Sequence, residues 1–361
     1  MKSWIRRGLQ VARQEWSGRM RRRVHFVGDA GNWSFKWDAH YISKGLEARI
    51  GDRVPVITAP WDLRHQVILF GNRYAYFFGP RERLHPSNKL YLIWFHGEPD
   101  STDSNMQRLF SQLPGALDRV SRVIVSCTIS RRILMEQGVP GEKIILIPLG
   151  VDLQAFRPPD PGLRARLRGE LGIPERAFCI GSFQKDGVGW GDGDAPKLVK
   201  GPDLFLEVMA RIRGEHPELM VLLTGPARGY VKQGLDRLGI PWRHRYLEDY
   251  HEIVGCYQAL DLYLIASRAE GGPKALMESW ACGVPVVSTR MGMPADWIRH
   301  GENGMLADVE DVASLAAHVA ALLRDPALLA RCREGGQETV LGLDWQWVAD
   351  QYFSMLSEAL H

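Results

Sequence analysis

Short apolar segments alternate with longer amphipathic stretches along almost the whole chain. In the first half these apolar segments are VHFV at 24, VPVIT at 54, QVILF at 66, LYLIWF at 90, RVIVSC at 122 and KIILIP at 143. Between them lie stretches of helical pattern such as KWDAHYISKGLEARI, which begins at Lys36. Strands this apolar, separated by helices, are typical of a parallel sheet covered by helices on both faces.

The pattern restarts after a proline-rich segment at 148–162, which we interpret as an interdomain linker. The apolar segments of the second half are FCIGSF at 178, LMVLLTG at 219, LYLIAS at 262, VPVVST at 284 and GMLAD at 304. The last helices are predicted to begin near Val309, Pro326 and Trp345. The expected fold class is therefore α/β, with two doubly wound domains in tandem.

The length of 361 residues also favours two domains, since one domain typically takes ~100–200 residues. We expect an N-terminal domain at 1–155, whose residues 1–23 form a basic helical leader. A C-terminal domain is expected at 156–340, followed by a helix at 341–361 that packs back toward the N-terminal domain.

Positive charge is concentrated in the leader. Residues 1–23 hold eight basic residues and one acidic residue, a net charge of +7, which leaves −4 for the rest of a chain whose total is +3. This distribution predicts peripheral contact with an anionic membrane, and it disfavours nucleic acid as a partner because the remainder is acidic. The alternative is a helix packed on the N-terminal domain with solvated arginines. Its apolar positions recur at helical spacing: Ile5, Leu9, Ala12, Trp16 and Met20.

Several classes of protein are disfavoured by composition. The longest apolar runs fall well short of the ~20 residues that span a bilayer, and no secretory signal is visible, so we expect a cytoplasmic protein that is peripheral at the inner face of the membrane. The five cysteines are dispersed, which indicates reduced thiols in or near the cores. Asp192-Gly193-Asp194 has the form of a DxD metal motif but does not end an apolar strand, so we do not expect it to bind a metal ion. No cofactor is expected either.

Ligands of open α/β sheets bind beyond the carboxyl ends of the strands, and one of these exits holds a glycine pair. In SRAEGGPKALMES, the backbone amides of Gly271, Gly272 and Lys274 precede or open a helix, which predicts an anion site. Glu270 lies just before this helix and Glu278 lies on it. Both carboxylates can accept hydrogen bonds from sugar hydroxyls.

Glu270 and Glu278 have the spacing of an E-x7-E motif, preceded by A-x-S and followed by G-x-P-V-V-x-T. In these features the chain resembles the retaining group 1 (family 4) glycosyltransferases of the GT-B fold. Segments 130–158 and 300–308 are similar to that family as well. The resemblance implies two Rossmann-like domains facing across a cleft. It implies that Glu270 contacts the hexose of the donor and that Glu278 binds the ribose. It also implies that amides of the glycine loop, at Gly271, Gly272 and Lys274, contact the sugar and phosphate.

Members of the family usually carry an arginine after the first strand-exit glycine of the C-terminal domain, but here Ser182 follows Gly181. Lys185 is three residues on and is our candidate to reach the diphosphate in its place. Lys200 matches the later family lysine. The intervening segment 187–199 is an insertion relative to the family, and it is expected to be either a mobile flap over the donor or a surface loop.

In the N-terminal domain, His96 follows the strand LYLIWF. The resemblance implies a cleft histidine near the donor sugar, and His96 is the candidate, so that Glu270, His96 and Lys200 are the expected catalytic residues. The loop after the first strand is expected to approach the acceptor or the diphosphate through Asp29, Gly31, Asn32 and Trp33. For Trp37, stacking on a sugar and packing in the core are both left open.

The resemblance implies a retaining, metal-independent hexosyltransferase with a nucleotide-sugar donor and a glycan, lipid-linked or small-molecule acceptor, as in polysaccharide or glycoconjugate biosynthesis. The alternatives are a nucleotide-sugar epimerase on the same fold and a non-catalytic sugar-binding scaffold. Neither the base nor the sugar of the donor follows from these residues.

Overall fold

The computed structural model describes residues 22–28 and 34–360, without the side chains of Ser34 and Phe35. It contains two six-stranded sheets in which all strands run parallel, flanked by helices, as expected for the fold class. The first sheet has the order β2-β1-β3-β4-β5-β6. Its strands are β1 Val24–Val27, β2 Val56–Ile57, β3 Val67–Phe70, β4 Lys89–Trp94, β5 Val120–Val125 and β6 Ile144–Leu146.

The second sheet has the order β12-β11-β10-β7-β8-β9. Its strands are β7 Phe178–Ser182, β8 Leu219–Thr224, β9 Trp242–Arg245, β10 Leu262–Ile265, β11 Val286–Thr289 and β12 Met305–Ala307. β9 was not predicted. Its sequence WRHR is polar and alternates between half-buried and exposed positions at the sheet edge, so it lacks the apolar run that marks the other strands.

The helices lie between the strands and after β12. Helices predicted at Pro326 and Trp345 begin there, whereas the one predicted near Val309 begins at Val312, because the Asp311 side chain caps it by accepting from the Ser314 amide. In chain order they are α1 Ser34–Ile50, α2 Arg73–Phe78, α3 Ser104–Phe110, α4 Thr128–Glu136, α5 Leu163–Glu170, α6 Pro202–Arg213, α7 Gly229–Leu238, α8 Ile253–Gln258, α9 Lys274–Ala281, α10 Gly292–Trp297, α11 Val312–Arg324, α12 Pro326–Val340 and α13 Trp345–Leu360.

The last helix, α13, packs against α1 of the N-terminal domain. Arg49 of α1 donates to the Asp350 carboxylate at 2.5 Å, and the rings of Tyr41 and Trp345 stack at 5.4 Å. The backbone of Arg22 donates to the carbonyl of Leu360 at 3.3 Å. The C-terminal helix thus ties the end of the chain to the first domain.

Burial follows the apolar pattern of the sequence. The strands β3, β8 and β10 are buried at every position, as expected for central strands covered on both faces. All five cysteines are buried and unpaired. Among the described helices none is by itself long and apolar enough to cross a membrane, although the pair Val312–Arg324 and Pro326–Leu343, bent by 104°, passes that test by length and composition.

Candidate functional site

The loop between β10 and α9 holds Glu270 in a small polar cluster. Ser267 Oγ donates to Glu270 Oε1 at 2.6 Å, and Lys200 Nζ lies 2.6 Å from Glu270 Oε2. Both side chains of the ion pair are mostly buried, Lys200 at 21% and Glu270 at 13% exposure. Burial opposes ionisation of Glu270, but the charge and hydrogen bond of Lys200, together with the hydrogen bond from Ser267, hold the pKa of Glu270 below its usual range. Two of the three predicted catalytic residues are therefore in direct contact.

The third predicted residue, His96, lies beside the same loop. A Cβ at Gly271 would overlap the carbonyl oxygen of Phe95, so this glycine lets the loop press against the end of β4. Arg73 donates to the carbonyl oxygen of His96. Burial first, and then the charges of Arg73 and Lys200, lower the pKa of His96 to about 3. Its imidazole is therefore neutral at neutral pH, with one donor and one acceptor nitrogen.

This lowered pKa makes His96 a source of acid sensitivity. In the unfolded chain a histidine takes up a proton near pH 6.5, whereas folded His96 does so only near pH 3, so stability falls as pH falls through that interval. We expect the melting temperature of His96→Gln, measured by calorimetry, to fall less between pH 7 and pH 4 than that of the unmodified protein. His85→Gln, at the opposite end of β4, is the matched control. Parallel pH profiles for His96→Gln and the unmodified protein would contradict the assignment.

Glu278 lies on α9 and is only 4% exposed. Its Oε1 accepts a hydrogen bond from the Tyr250 hydroxyl, and its Oε2 accepts one from the Tyr257 hydroxyl at 2.8 Å. Burial raises the pKa of Glu278, although both hydroxyls and the nearby Lys274 oppose that rise. Each oxygen of the second motif carboxylate thus accepts one hydrogen bond within the protein and keeps capacity for another.

Lys274 opens α9 and bridges the two domains through its side chain. Its ammonium pairs with the buried carboxylate of Asp38 on α1. Burial raises the pKa of Asp38, and Lys274 acts in the opposite direction. The sequence indicated a role only for the Lys274 backbone amide, so this ion pair adds an interdomain contact next to Glu278.

Aromatic rings complete the interdomain contact. Trp37 of α1 stacks on Tyr250, with ring centroids 5.0 Å apart and an interplanar angle of 26°. Tyr41, one turn further along α1, donates to the Asp152 carboxylate at 3.1 Å. The indole of Trp37 therefore packs on the tyrosine that binds Glu278, and stacking of this ring on a sugar stays a prediction.

Ser182 ends β7 at the position where the resemblance implies an arginine. The guanidinium of another residue, Arg228, contacts Ser182 instead. Arg228, between β8 and α7, donates to the Ser182 carbonyl at 2.6 Å and to the Ser182 hydroxyl at 3.0 Å. It also pairs with Asp186 at 2.9 Å, and its side chain is 0% exposed. Because it is buried, Arg228 binds the protein and holds the strand-exit turn in shape.

The insertion at 187–199 is a short hairpin that is fixed to the domain. Gly187 and Pro196 form an antiparallel bridge, and the carbonyls of Asp192 and Gly193 accept from the first two amides of α7 at 2.5 and 3.0 Å. The Asp194 carboxylate accepts from Gln233 at 2.8 Å. In the described part of the chain, no group of three or more His, Cys, Asp or Glu side chains is arranged to hold a metal ion.

Part of the predicted site lies outside the described residues. The loop residues Asp29, Gly31, Asn32 and Trp33 belong to this part, as do positions 1–21 of the basic leader. Their roles stay predictions. Conversely, sequence reasoning missed Asp38, Tyr250, Tyr257 and Arg228, because no motif marks them and each meets its partner only through the fold.

The sequence is similar to known glycosyltransferases. Residues 196–339 match the family model described as glycosyl transferases group 1. The D-inositol 3-phosphate glycosyltransferase 1 of Catenulispora acidiphila is 28% identical over 239 residues, which are 62% of this chain and 53% of that protein. The lipopolysaccharide core biosynthesis glycosyltransferase LpsE of Rhizobium meliloti is 31% identical over 159 residues, 44% of this chain and 46% of that protein. The chain thus spans about half the length of these curated relatives.

Solved structures resemble most of the chain. HepE of Anabaena, crystallised with UDP-glucose, has a TM-score of 0.76 at 20% identity and covers 93% of this chain and 99% of its own. Sucrose-phosphate synthase of Thermosynechococcus elongatus has a TM-score of 0.68 at 20% identity over 90% of this chain and 78% of its own. The chain therefore has the GT-B fold of glycosyltransferases, and its residues 196–339 match group 1 of these enzymes.

Proposed function

We propose that the protein is a retaining, metal-independent family 4 hexosyltransferase that uses a nucleoside diphosphate sugar as donor. The contact of Glu270 with Lys200 beside His96 carries this proposal. An ionised carboxylate and a lysine are held together there, at the exits of β10 and β4, where a GT-B fold has its cleft. The sugar would be recognised by the carboxylate and the leaving diphosphate by the lysine.

Each group has a physical role in this proposal. An ammonium has three N–H donors, so Lys200 can keep its bond to Glu270 and still donate to phosphate oxygens as negative charge develops on the leaving group. Lys185 and the amides of Gly271 and Gly272 would share that charge, and Glu278 would accept from the ribose. We assign no protein nucleophile; departure and acceptor attack on the same face of the sugar would retain its configuration.

For the donor base we propose uracil, since HepE, of the same fold, was crystallised with UDP-glucose. For the acceptor we propose a glycan or a lipid-linked sugar, in keeping with the lipopolysaccharide core pathway of LpsE. Attachment of the basic leader to an anionic membrane would suit a lipid-linked acceptor. Arg22 and Arg23 are its only described residues, so this attachment stays a prediction.

The test is thermal stabilisation by UDP-, GDP- and ADP-glucose in excess EDTA. A ligand at 100 times its Kd adds about 2.7 kcal/mol to the free energy of unfolding, enough for a clear rise in melting temperature. We expect UDP-glucose to stabilise the protein without added metal. Product analysis then separates the alternatives, since an epimerase releases free sugar and a scaffold yields no product. Absence of stabilisation by all three donors, or stabilisation that requires manganese or magnesium, would contradict the proposal.

A further inference from the structure

The insertion carries a large aromatic side chain at its surface. The indole of Trp190 is 62% exposed, although burial of an aromatic ring of this size is strongly favourable. The ammonium of Lys185 lies over this ring, 3.8 Å from its centroid. Such a distance is well within the range of a cation–π interaction, for which tryptophan is the best partner.

The ring is presented by a fixed support. In addition to the hydrogen bonds to α7, glycines make the close contacts between the insertion and the domain possible. A Cβ at Gly187 or Gly193 would overlap the backbone of Ala227, and one at Gly229 would overlap the Asp194 carboxylate. At the base of the hairpin, the Lys197 amide donates to the Asp186 carbonyl at 2.7 Å. Trp190 therefore belongs to an anchored hairpin.

Lys185 lies in the segment next to the Lys200–Glu270 pair. The adjacent residue, Gln184, donates to the Lys200 carbonyl at 3.0 Å. At the other end of the insertion, burial lowers the pKa of Lys197, and the charges of Lys200 and Lys185 lower it further. Lys197 thus lies within electrostatic range of both Lys200 and Lys185, which places positive charge at both ends of the insertion.

We propose that Trp190 is a positioning residue that holds the Lys185 ammonium for the donor diphosphate, in place of the arginine that is absent at Ser182. This inference rests on the proposed function and adds to it a role for the insertion. A lysine loses considerable rotamer freedom when it binds a phosphate, and a ring that already confines its ammonium reduces that loss. Trp190 acts through Lys185 and does not itself touch the phosphates.

The test is a double-mutant cycle of Trp190→Ala and Lys185→Ala, read by calorimetric titration with UDP and with uridine. Trp190→Ala is expected to weaken UDP binding about two- to fivefold and to leave uridine binding unchanged, because only UDP carries phosphate. The double variant should bind UDP no more weakly than Lys185→Ala alone. Trp190→Phe, which keeps a ring, should retain most of the affinity. Trp347→Ala, at a residue of α13 that is 41% exposed, is the control for loss of an exposed indole.

Additive losses in the cycle, an equal loss for uridine, or unchanged UDP affinity in Trp190→Ala would each overturn the positioning role. A loss for uridine equal to that for UDP would instead place the indole against the nucleoside. These outcomes presuppose that the unmodified protein binds UDP. If it binds none of UDP, GDP and ADP, the proposed function fails, and this inference fails with it.

Discussion

Replacing Lys200 with alanine is expected to lower kcat/KM for sugar transfer roughly 10- to 100-fold, since a hydrogen bond to a charged group contributes ~1.5–3 kcal/mol and ~1.4 kcal/mol is a tenfold change in rate. It should also destabilise the protein. Glu270 is 13% exposed and loses its counter-ion, and breaking a buried ion pair from one side costs ~3–5 kcal/mol. Urea unfolding and steady-state kinetics on the same preparations measure the two effects.

The double variant Lys200→Ala/Glu270→Gln separates stability from catalysis. The neutral amide that replaces the Glu270 carboxylate needs no counter-ion, so the double variant should recover much of the lost stability while its activity stays low. Lys89→Ala, at the exposed start of β4, is the control for loss of a lysine outside the cleft. An activity of Lys200→Ala within threefold of the unmodified protein would rule out contact between Lys200 and the diphosphate.

Each member of the Lys200–Glu270 pair was predicted from the sequence, but their contact was not. Glu270 was predicted from its spacing to Glu278 within one loop and helix, and such a short-range spacing can be seen directly in the sequence. The ion pair depends on how the segment before α6 meets the exit of β10, and no sequence signal encodes that distance. The same contrast separates the apolar strands, which were found at their predicted places, from the polar strand β9, which pairs with β8 at the edge of the sheet.

The interdomain contacts were beyond sequence reasoning for a physical reason. Asp38 and Lys274 are 236 positions apart, and each is an ordinary charged residue in its local context. Only the approach of α1 to α9 buries both and makes their pairing necessary. The structure also gives Gly271 a role that no sequence signal indicates, since a Cβ there would overlap the Phe95 carbonyl of the other domain.

Glu278→Ala and Glu270→Ala are expected to separate nucleotide binding from transfer. Glu278 is the proposed ribose ligand, so its loss should weaken UDP binding roughly 10- to 100-fold, from the ~1.5–3 kcal/mol of a charged hydrogen bond. UDP has no hexose, and Glu270→Ala should therefore bind it as well as the unmodified protein does. Transfer from UDP-glucose should fall in both variants.

Two further variants exclude an indirect origin of the Glu278 effect. Tyr257→Phe removes one hydrogen bond to Glu278 and leaves the carboxylate, so it should change UDP affinity far less than Glu278→Ala does. Tyr250→Phe removes the other hydrogen bond to Glu278 and keeps the ring that stacks on Trp37. If both tyrosine variants lose as much UDP affinity as Glu278→Ala, the carboxylate acts through the aromatic contact between the domains. If Glu270→Ala and Glu278→Ala lose UDP affinity equally, the assignment of hexose to one glutamate and ribose to the other is wrong.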